Sequence, residues 1–255
     1  MHLARPRRGS RGQRPEAAAE AGFAGRERPP ARDVRPAFYA LAPGGWRDYV
    51  TLLHPPYTLW HLSYVAVGAA LAPHFHLDRM LWALAAFALA MGIAAHALDE
   101  LNGRPLGTRI GTRTLWALAG TGLVGALAIG IGASLAWGLG LLAFVAAGAF
   151  LVPAYNLELF GGRFHSDAWF ALAWGGFPAL TGYFVEAQTI RVEALLAAGY
   201  ATALSLAQRR LSTPVREARR VRGTTSGTES FERALRAATW AATLLAAALV
   251  AARLT

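Results

Sequence analysis

The sequence contains no cysteine, and all 25 of its basic residues are arginine, so lysine is absent as well. The lack of cysteine excludes a disulfide framework, a thiolate metal site and a cysteine nucleophile. The lack of lysine excludes an amine that forms a Schiff base, abstracts a proton or binds phosphate. Charged residues make up only 16% of the chain, whereas about a quarter is usual in soluble domains. A disordered chain is thereby excluded, and an ordinary soluble enzyme is disfavoured.

Hydrophobic residues, 55% of the chain, are gathered in long stretches. Residues 114–157 are 44 consecutive positions without Asp, Glu, Lys or Arg. Because a membrane-spanning helix needs about 20 mostly apolar residues, this stretch has room for two helices, with a break predicted near Ala133 and Ser134. Two shorter charge-free stretches lie at 80–98 and 168–185. Unpaired backbone amides in hydrocarbon cost several kcal/mol each, so these stretches predict an all-α polytopic membrane protein.

About seven transmembrane helices are predicted, at residues 55–73, 78–99, 113–133, 135–155, 166–187, 190–210 and 230–253. The arginines support this count through the rule that cytoplasmic loops carry positive charge. With the N-terminus in the cytoplasm, 22 of the 25 arginines fall on the cytoplasmic side. We therefore expect a multi-pass protein of the cell (inner) membrane. The alternative is a soluble all-α protein with alanine-rich core helices, and the long uncharged stretch argues against it.

Residues 1–46 are predicted to be a disordered cytoplasmic tail, and residues 47–255 a transmembrane helical domain. The tail is rich in Arg and Pro and lacks the apolar stretch of a signal peptide. It has too little apolar surface to form a core. Such a tail is attracted to anionic lipid by ~1 kcal/mol per arginine near the surface; a merely solvated tail or a misplaced start codon are the alternatives. Membrane lipid is an expected partner, and nucleic acid is not.

The end of the second predicted helix carries His96, Asp99 and Glu100. At positions i, i+3 and i+4 they are predicted to share one helix face. Carboxylates at a helix C-terminus oppose the helix dipole at roughly 0.3–1 kcal/mol each, so two adjacent acids there favour a bound cation. A histidine with two carboxylates could hold Mg²⁺, Mn²⁺ or Zn²⁺. An ordinary solvated helix end, with Gly103 as its C-cap, explains the same residues equally well.

Two other segments concentrate polar residues on the predicted cytoplasmic side. Residues 155–167, after the fourth helix, include Asp167, which is equally suited to capping the fifth helix. Residues 208–222 are predicted to form a loop after the sixth helix, with Arg209 and Arg210 nearest to that helix. Arginines there could clamp a diphosphate through bidentate contacts. Positive charge that merely sets the membrane topology is the alternative.

The layout resembles the UbiA-type superfamily of intramembrane prenyltransferases. His-Pro-Pro-Tyr at 54–57 precedes a first helix that contains glycine. The acidic motif that closes the second helix runs into Arg-Pro-Leu at 104–106. A tyrosine-containing loop precedes a fifth helix with Gly-Gly-Phe-Pro at 175–178. The resemblance spans about residues 50–222.

The resemblance implies a prenyltransferase that joins an isoprenyl diphosphate, or a similar amphiphile, to a lipophilic acceptor at the cytoplasmic side. In the family, acidic residues bind Mg²⁺, which holds the diphosphate while an allyl cation forms. Here the metal ligands would be Asp99, Glu100 and His96. The catalytic residues would be Asp99, Glu100, Tyr155 and Asn156. The substrate would contact His96, Asn102, Arg104, Asp167, Gln208, Arg209 and Arg210.

The chain departs from the family pattern after the sixth helix, where a second acidic motif is expected. No carboxylate follows until Glu217, the family's usual lysine is missing, and seven helices are predicted where nine are typical. Either Arg209 and Arg210 replace a metal, or the protein is non-catalytic and binds a quinone or polyprenol in its bundle. A small-solute transporter that uses the acidic cluster as an ion site is a third alternative. The first two predict that Asp99, Tyr155 and Gln208 line one cavity.

Overall fold

The structure is a computed structural model that describes residues 34–255. Most of the predicted tail therefore lies outside the described residues. The regular secondary structure of residues 34–255 is entirely helical, as the sequence predicts. The helices are α1 (Trp46–Leu52), α2 (Pro55–Leu71), α3 (Leu77–Leu101), α4 (Thr112–Trp137), α5 (Leu141–Asn156), α6 (167–187), α7 (Val192–Arg220) and α8 (Glu229–Leu254).

Helices α2 to α8 coincide with the seven predicted helical stretches, and α1 is a short additional helix before them. By length and composition, α3, α4 and α8 are able to cross a membrane, and α5 is a shorter apolar helix. These helices support membrane association of the chain. Pro55 and Pro56 occupy the first turn of α2, where a missing backbone N–H leaves no helical hydrogen bond unmade.

The predicted break at Ala133 and Ser134 is wrong, because α4 continues through both residues to Trp137. The Ser134 hydroxyl donates to the Gly130 carbonyl oxygen at 2.7 Å, so this polar side chain is satisfied inside the helix. The last residue of the helix is instead Trp137. Gly138 follows with a φ of 155°, a backbone conformation that glycine adopts easily because it has no Cβ. The helix boundary is thus set by backbone freedom at glycine rather than by the polarity of serine.

The predicted loop at 208–222 is also wrong, because α7 remains helical as far as Arg220. Gln, Arg, Glu and Ala are all good helix formers, and the helix passes through Pro214. The Ser212 and Thr213 hydroxyls donate to the Arg209 carbonyl oxygen at 3.1 and 2.8 Å in the turn before the proline. As a result, residues four apart on α7 form one face instead of scattering along a loop.

Helix α2 lies at the centre and packs against α6 and α8. Its Trp60 and Tyr64 are fully buried in a cluster that also contains Ala179 and Leu235. Gly68 of α2 faces the Ala179 carbonyl, and Gly182 of α6 faces the Val65 carbonyl. Because neither glycine carries a Cβ, the two helix backbones approach to direct contact.

Two helices contain a π-helical segment, Ala88–Ala95 in α3 and Leu172–Gly176 in α6. A π turn accommodates an extra residue and so changes the direction in which the following side chains point; such turns are frequent at functional sites. Each segment places one large side chain, Met91 or Trp174, against the cavity described next. The π segments therefore shape the wall of the candidate site.

Candidate functional site

A cavity of about 560 Å³ lies where α2, α3, α5, α6 and α7 meet. Seven of the site residues predicted from sequence line it: His96, Asp99, Asn102, Tyr155, Asn156, Gln208 and Arg209. The expected meeting of Asp99, Tyr155 and Gln208 at one cavity is therefore what the structure shows. Because α7 is helical beyond Gln208, it also brings Arg216 and Arg220 to the lining.

Glu100 does not line the cavity, and the prediction that it shares a face with Asp99 is wrong. Its carboxylate is fully buried and accepts three hydrogen bonds from the following loop. The Thr108 amide and hydroxyl donate to Oε1 at 2.8 Å each, and the Leu106 amide donates to Oε2 at 3.0 Å. Consecutive helix residues point about 100° apart, which separates Glu100 from Asp99. Glu100 thus holds the loop after α3 in place.

Asp48, which the sequence analysis missed, holds the same loop from the other side. Its carboxylate is buried and accepts from the amides of Arg109 and Gly44, both at 2.9 Å. Arg104 also serves this loop, since its guanidinium donates to the carbonyl oxygens of Thr108 and Ile110 at 3.3 and 2.6 Å. The expected substrate contact of Arg104 is therefore replaced by a structural one.

The remaining predicted residues lie outside the lining. Asp167 accepts from Arg209 Nε at 3.0 Å, and the cap of α6 is made by Ser166 rather than by Asp167. The guanidinium of Arg209 also lies 5.3 Å from the centre of the Phe170 ring. Arg210 is exposed on the other side of α7 and does not reach the cavity. Asp167 thus orients an arginine of the site without facing the cavity itself.

The residues present do not fit the predicted Mg²⁺ site. Residues 34–255 contain no group of three histidine or acidic side chains placed to hold a metal ion. With Glu100 bound to its loop, Asp99 is the only carboxylate that the end of α3 presents to the cavity. Mg²⁺ prefers an octahedral set of oxygen ligands, and the end of α3 supplies only one carboxylate toward such a set.

Two histidines in the lining have their tautomers fixed by backbone carbonyls. His96 Nδ1 lies 3.1 Å from the Gly92 oxygen, and His165 Nδ1 lies 3.0 Å from the Tyr155 oxygen. A carbonyl oxygen can only accept, so each Nδ1 carries the proton. In the neutral ring Nε2 is then the nitrogen left to accept a hydrogen bond or a proton. The cavity is thereby supplied with two oriented nitrogens that can accept a hydrogen bond.

His54 has an unusual backbone conformation. It lies immediately before α2 with φ 46° and ψ 54°, a left-handed conformation that side chains with a Cβ rarely adopt. Its ring centre lies 4.1 Å from that of His96. Burial, and then the neighbouring His96, lower the pKa of His54 well below its ordinary value. The ring is therefore neutral at physiological pH and able to accept a hydrogen bond.

Unpartnered polar atoms are concentrated at this cavity. Six buried side-chain polar atoms of residues 34–255 have no hydrogen-bond partner. Four of them belong to residues that line the cavity: His54 Nε2, His61 Nδ1, Tyr155 OH and Gln208 Oε1. A buried polar atom left unpaired costs ~1–3 kcal/mol, so native proteins usually satisfy such atoms. Their concentration in one place indicates a cavity built for a polar ligand.

A second, smaller cleft of about 110 Å³ adjoins the polar cavity. Its walls are almost entirely apolar side chains of α3, α4, α5 and α6. Met91 and Trp174, from the two π segments, line both spaces and form the boundary between them. The two spaces together suit a molecule with a polar head and an apolar tail.

The chain was compared with models of protein families, with curated proteins and with solved structures, and none of them matches.

Proposed function

We propose that the chain is a UbiA-like multi-pass membrane prenyltransferase that acts on an isoprenyl diphosphate and a lipophilic acceptor at the cytoplasmic side. The observation that carries the proposal is the polar cavity joined to an apolar cleft across Met91 and Trp174. An isoprenyl diphosphate has the same division into an anionic head and an apolar chain. The head would lie against α7, and the chain would lie between α3, α4, α5 and α6.

Arg209, Arg216 and Arg220 would bind the diphosphate. The lining also holds the carboxylates of Asp99, Glu158 and Glu217, so its formal charge is balanced. Preference for the diphosphate would then come from guanidinium geometry, because the planar fork donates two parallel hydrogen bonds to phosphate oxygens. In this arrangement the arginines neutralise the charge of the diphosphate, which is the role that the resemblance gives to Mg²⁺.

The chemistry would begin with cleavage of the bond between the allylic carbon and the diphosphate oxygen. The electron pair leaves with the diphosphate, where fixed positive charge is most effective. Aromatic faces of Tyr57, Tyr155 and Trp174 in the lining would stabilise the allyl cation. The acceptor then bonds to that carbon and loses a proton to His96 Nε2 or to Asp99. Gln208 Oε1 can only accept a hydrogen bond, which favours an acceptor that carries a hydroxyl group.

Arg216→Ala should weaken binding of geranylgeranyl diphosphate about 10- to 100-fold, the loss expected for one charge-assisted hydrogen bond. Binding is measured as a thermal shift of detergent-purified protein, with and without Mg²⁺. Arg210→Ala is the matched control, since Arg210 is on the same helix but exposed and outside the lining. We expect the wild-type shift without metal, its loss in Arg216→Ala and its retention in Arg210→Ala.

Release of diphosphate in the same samples separates the two candidate functions. A transferase should release diphosphate when an acceptor is present, and Asp99→Asn should abolish the release without lowering Tm. A wild-type protein that is stabilised by a quinone or polyprenol, but releases no diphosphate, would favour the non-catalytic alternative. The non-catalytic alternative is supported by the single carboxylate that the end of α3 presents to the cavity. A shift that requires Mg²⁺ would contradict the arginine clamp.

The proposal includes seven membrane crossings with the N-terminus in the cytoplasm, supported by the arginine distribution. Because the chain has no cysteine, single cysteines can report the orientation directly. Ser226→Cys, between α7 and α8, should resist a membrane-impermeant maleimide in intact cells and react after lysis. Pro73→Cys, between α2 and α3, should react in intact cells. The reverse pattern, or the same result at both positions, would overturn the proposed topology.

A further inference from the structure

One wall of the cavity comes from a segment before the first helix, residues 34–42, called here the cover segment. Its residues Pro36, Ala37, Phe38 and Tyr39 belong to the cavity lining. The sequence analysis placed this segment in a disordered tail, and no pattern in it predicts a binding role. In the structure the segment has a defined turn, closed by a hydrogen bond from the Ala40 amide to the Ala37 oxygen at 3.1 Å.

The aromatic side chains of the cover segment lie against those of the cavity. The Tyr39 ring is centred 5.4 Å from the rings of both His54 and Tyr57. The Phe38 ring is centred 6.1 Å from Tyr57 in an edge-to-face arrangement. Burial, and then the neighbouring Tyr57, raise the pKa of Tyr39 well above its usual value, so its hydroxyl remains a hydrogen-bond donor at neutral pH. The segment therefore brings a donor to the cavity next to the His54 and His96 pair.

Besides these ring contacts, two hydrogen bonds and one cation–π contact join the cover segment to the helices. The Arg219 guanidinium donates to the Arg35 carbonyl oxygen at 3.0 Å and is itself fixed by Glu232. The Arg236 guanidinium lies 4.7 Å from the centre of the Phe38 ring. The Leu41 amide donates to the Thr51 hydroxyl at 3.0 Å. The first two contacts reach α7 and α8.

A hinge is present where the cover segment joins α1. Gly44 and Gly45 have φ of 117° and 62°, and a Cβ on either would meet no atom within 4 Å. Both residues are thus free of steric restraint from their surroundings and have the wide conformational range of glycine. Asp48 fixes the far side of this hinge, because its carboxylate accepts from the Gly44 amide. Swinging about the two glycines separates the Leu41 amide from the Thr51 hydroxyl of α1, while the hydrogen bond from Gly44 to Asp48 keeps the hinge attached to that helix.

We propose that the cover segment swings about Gly44 and Gly45 to admit the ligand, and that Tyr39 contacts the ligand when the segment closes. The contact of Phe38 with Arg236 is the latch of the closed state. Opening uncovers the rings of His54 and Tyr57, against which Tyr39 lies in the closed state. The role of Tyr39 toward an anionic amphiphile rests on the proposed function, whereas the opening itself does not.

The opening is tested by the reactivity of one buried cysteine. Ser212 lines the cavity and is 6% exposed, so Ser212→Cys in the cysteine-free chain should react slowly with a soluble maleimide. Arg236→Ala removes the latch and should raise this rate about two- to fivefold, the factor that corresponds to an exposed cation–π contact. Arg233→Ala, an exposed arginine on the same helix, should leave the rate unchanged. The exposed reporter Ser226→Cys should react at one rate in every variant.

A second latch variant protects the test against a folding defect. Phe38→Leu keeps an apolar side chain but removes the ring face, so it should reproduce the rate increase of Arg236→Ala. The two substitutions together should add nothing further, because they break the same contact. If Ser212→Cys reacts as fast as Ser226→Cys in the wild-type background, or if neither latch variant changes its rate, the cover segment does not gate the cavity.

The ligand role of Tyr39 is tested separately with geranylgeranyl diphosphate as the probe. The probe should slow labelling of Ser212→Cys, and Tyr39→Ala should require about tenfold more probe for the same protection. The protection measured in Tyr39→Phe separates the contribution of the Tyr39 hydroxyl to probe binding from that of its ring. If latch variants accelerate labelling but the probe never protects, the proposed function fails while the hinged cover stands. If the probe protects equally in Tyr39→Ala, the contact assigned to Tyr39 is wrong.

Discussion

Glu100→Ala should lower the stability of the protein by about 3–9 kcal/mol, because it leaves two backbone amides and one hydroxyl without an acceptor at ~1–3 kcal/mol each. Leu106 and Thr108 supply these donors from the loop that closes the cavity beside α3. For a chain of this size the loss corresponds to a fall in Tm of roughly 10 °C or more. Thermal unfolding of detergent-purified protein measures it directly.

The neighbouring acid provides the control. Asp99→Asn should change Tm by little, since no described residue donates a hydrogen bond to the Asp99 carboxylate. The Tm of Glu100→Gln should lie between those of Glu100→Ala and Asp99→Asn, because the side-chain amide keeps one acceptor oxygen for Thr108. A loss of stability in Asp99→Asn as large as that in Glu100→Ala would show that the two acids share one role after all.

Gly68→Ala and Gly182→Ala should each destabilise the protein by ~3 kcal/mol or more, beyond the usual range for overpacking a core. The added Cβ atoms would overlap the carbonyl oxygens of Ala179 and Val65. These oxygens belong to helix backbones, so neither can move without separating α2 from α6. The expected readout is a large fall in Tm or in the yield of folded protein from the membrane.

Two glycines of α4 serve as controls for these substitutions. Cβ atoms on Gly120 and Gly132 would meet no other atom within 4 Å. Alanine at either position should therefore be neutral or stabilising by about 0.5–1 kcal/mol, the usual helix preference of alanine over glycine. Equal effects at all four positions would mean that helix propensity, rather than close helix contact, determines the outcome.

The positions of the helices could be predicted because long apolar stretches leave the backbone few alternatives. The charge-free residues 114–157 contain α4 and α5 almost completely. The gathering of Asp99, Tyr155 and Gln208 could also be predicted, since each lies near a predicted helix end on the same predicted side.

The separate roles of Asp99 and Glu100 could not be predicted, because they depend on a loop that folds back only in three dimensions. Residues at i, i+3 and i+4 of a helix lie on one broad face, but this spacing does not specify which partner each side chain meets. The partner of Glu100 is the Thr108 amide, which the folded loop brings close. The same limit applies to Tyr39, whose position comes from Gly44 and Asp48 rather than from local periodicity. The predicted loop at 208–222 follows from ending the sixth helix where its apolar stretch ends, whereas arginine favours helices and α7 continues to Arg220.

At position 54, the stability of the backbone and the shape of the cavity place opposite demands on the residue. A histidine held at φ 46° before a proline carries strain of about 1–2 kcal/mol that glycine would not. A substitution that relieves the strain also removes the ring that stacks on His96. Selection for heat resistance alone would therefore favour substitutions of His54, and these would remove part of the cavity wall. Engineering for thermostability should exclude it.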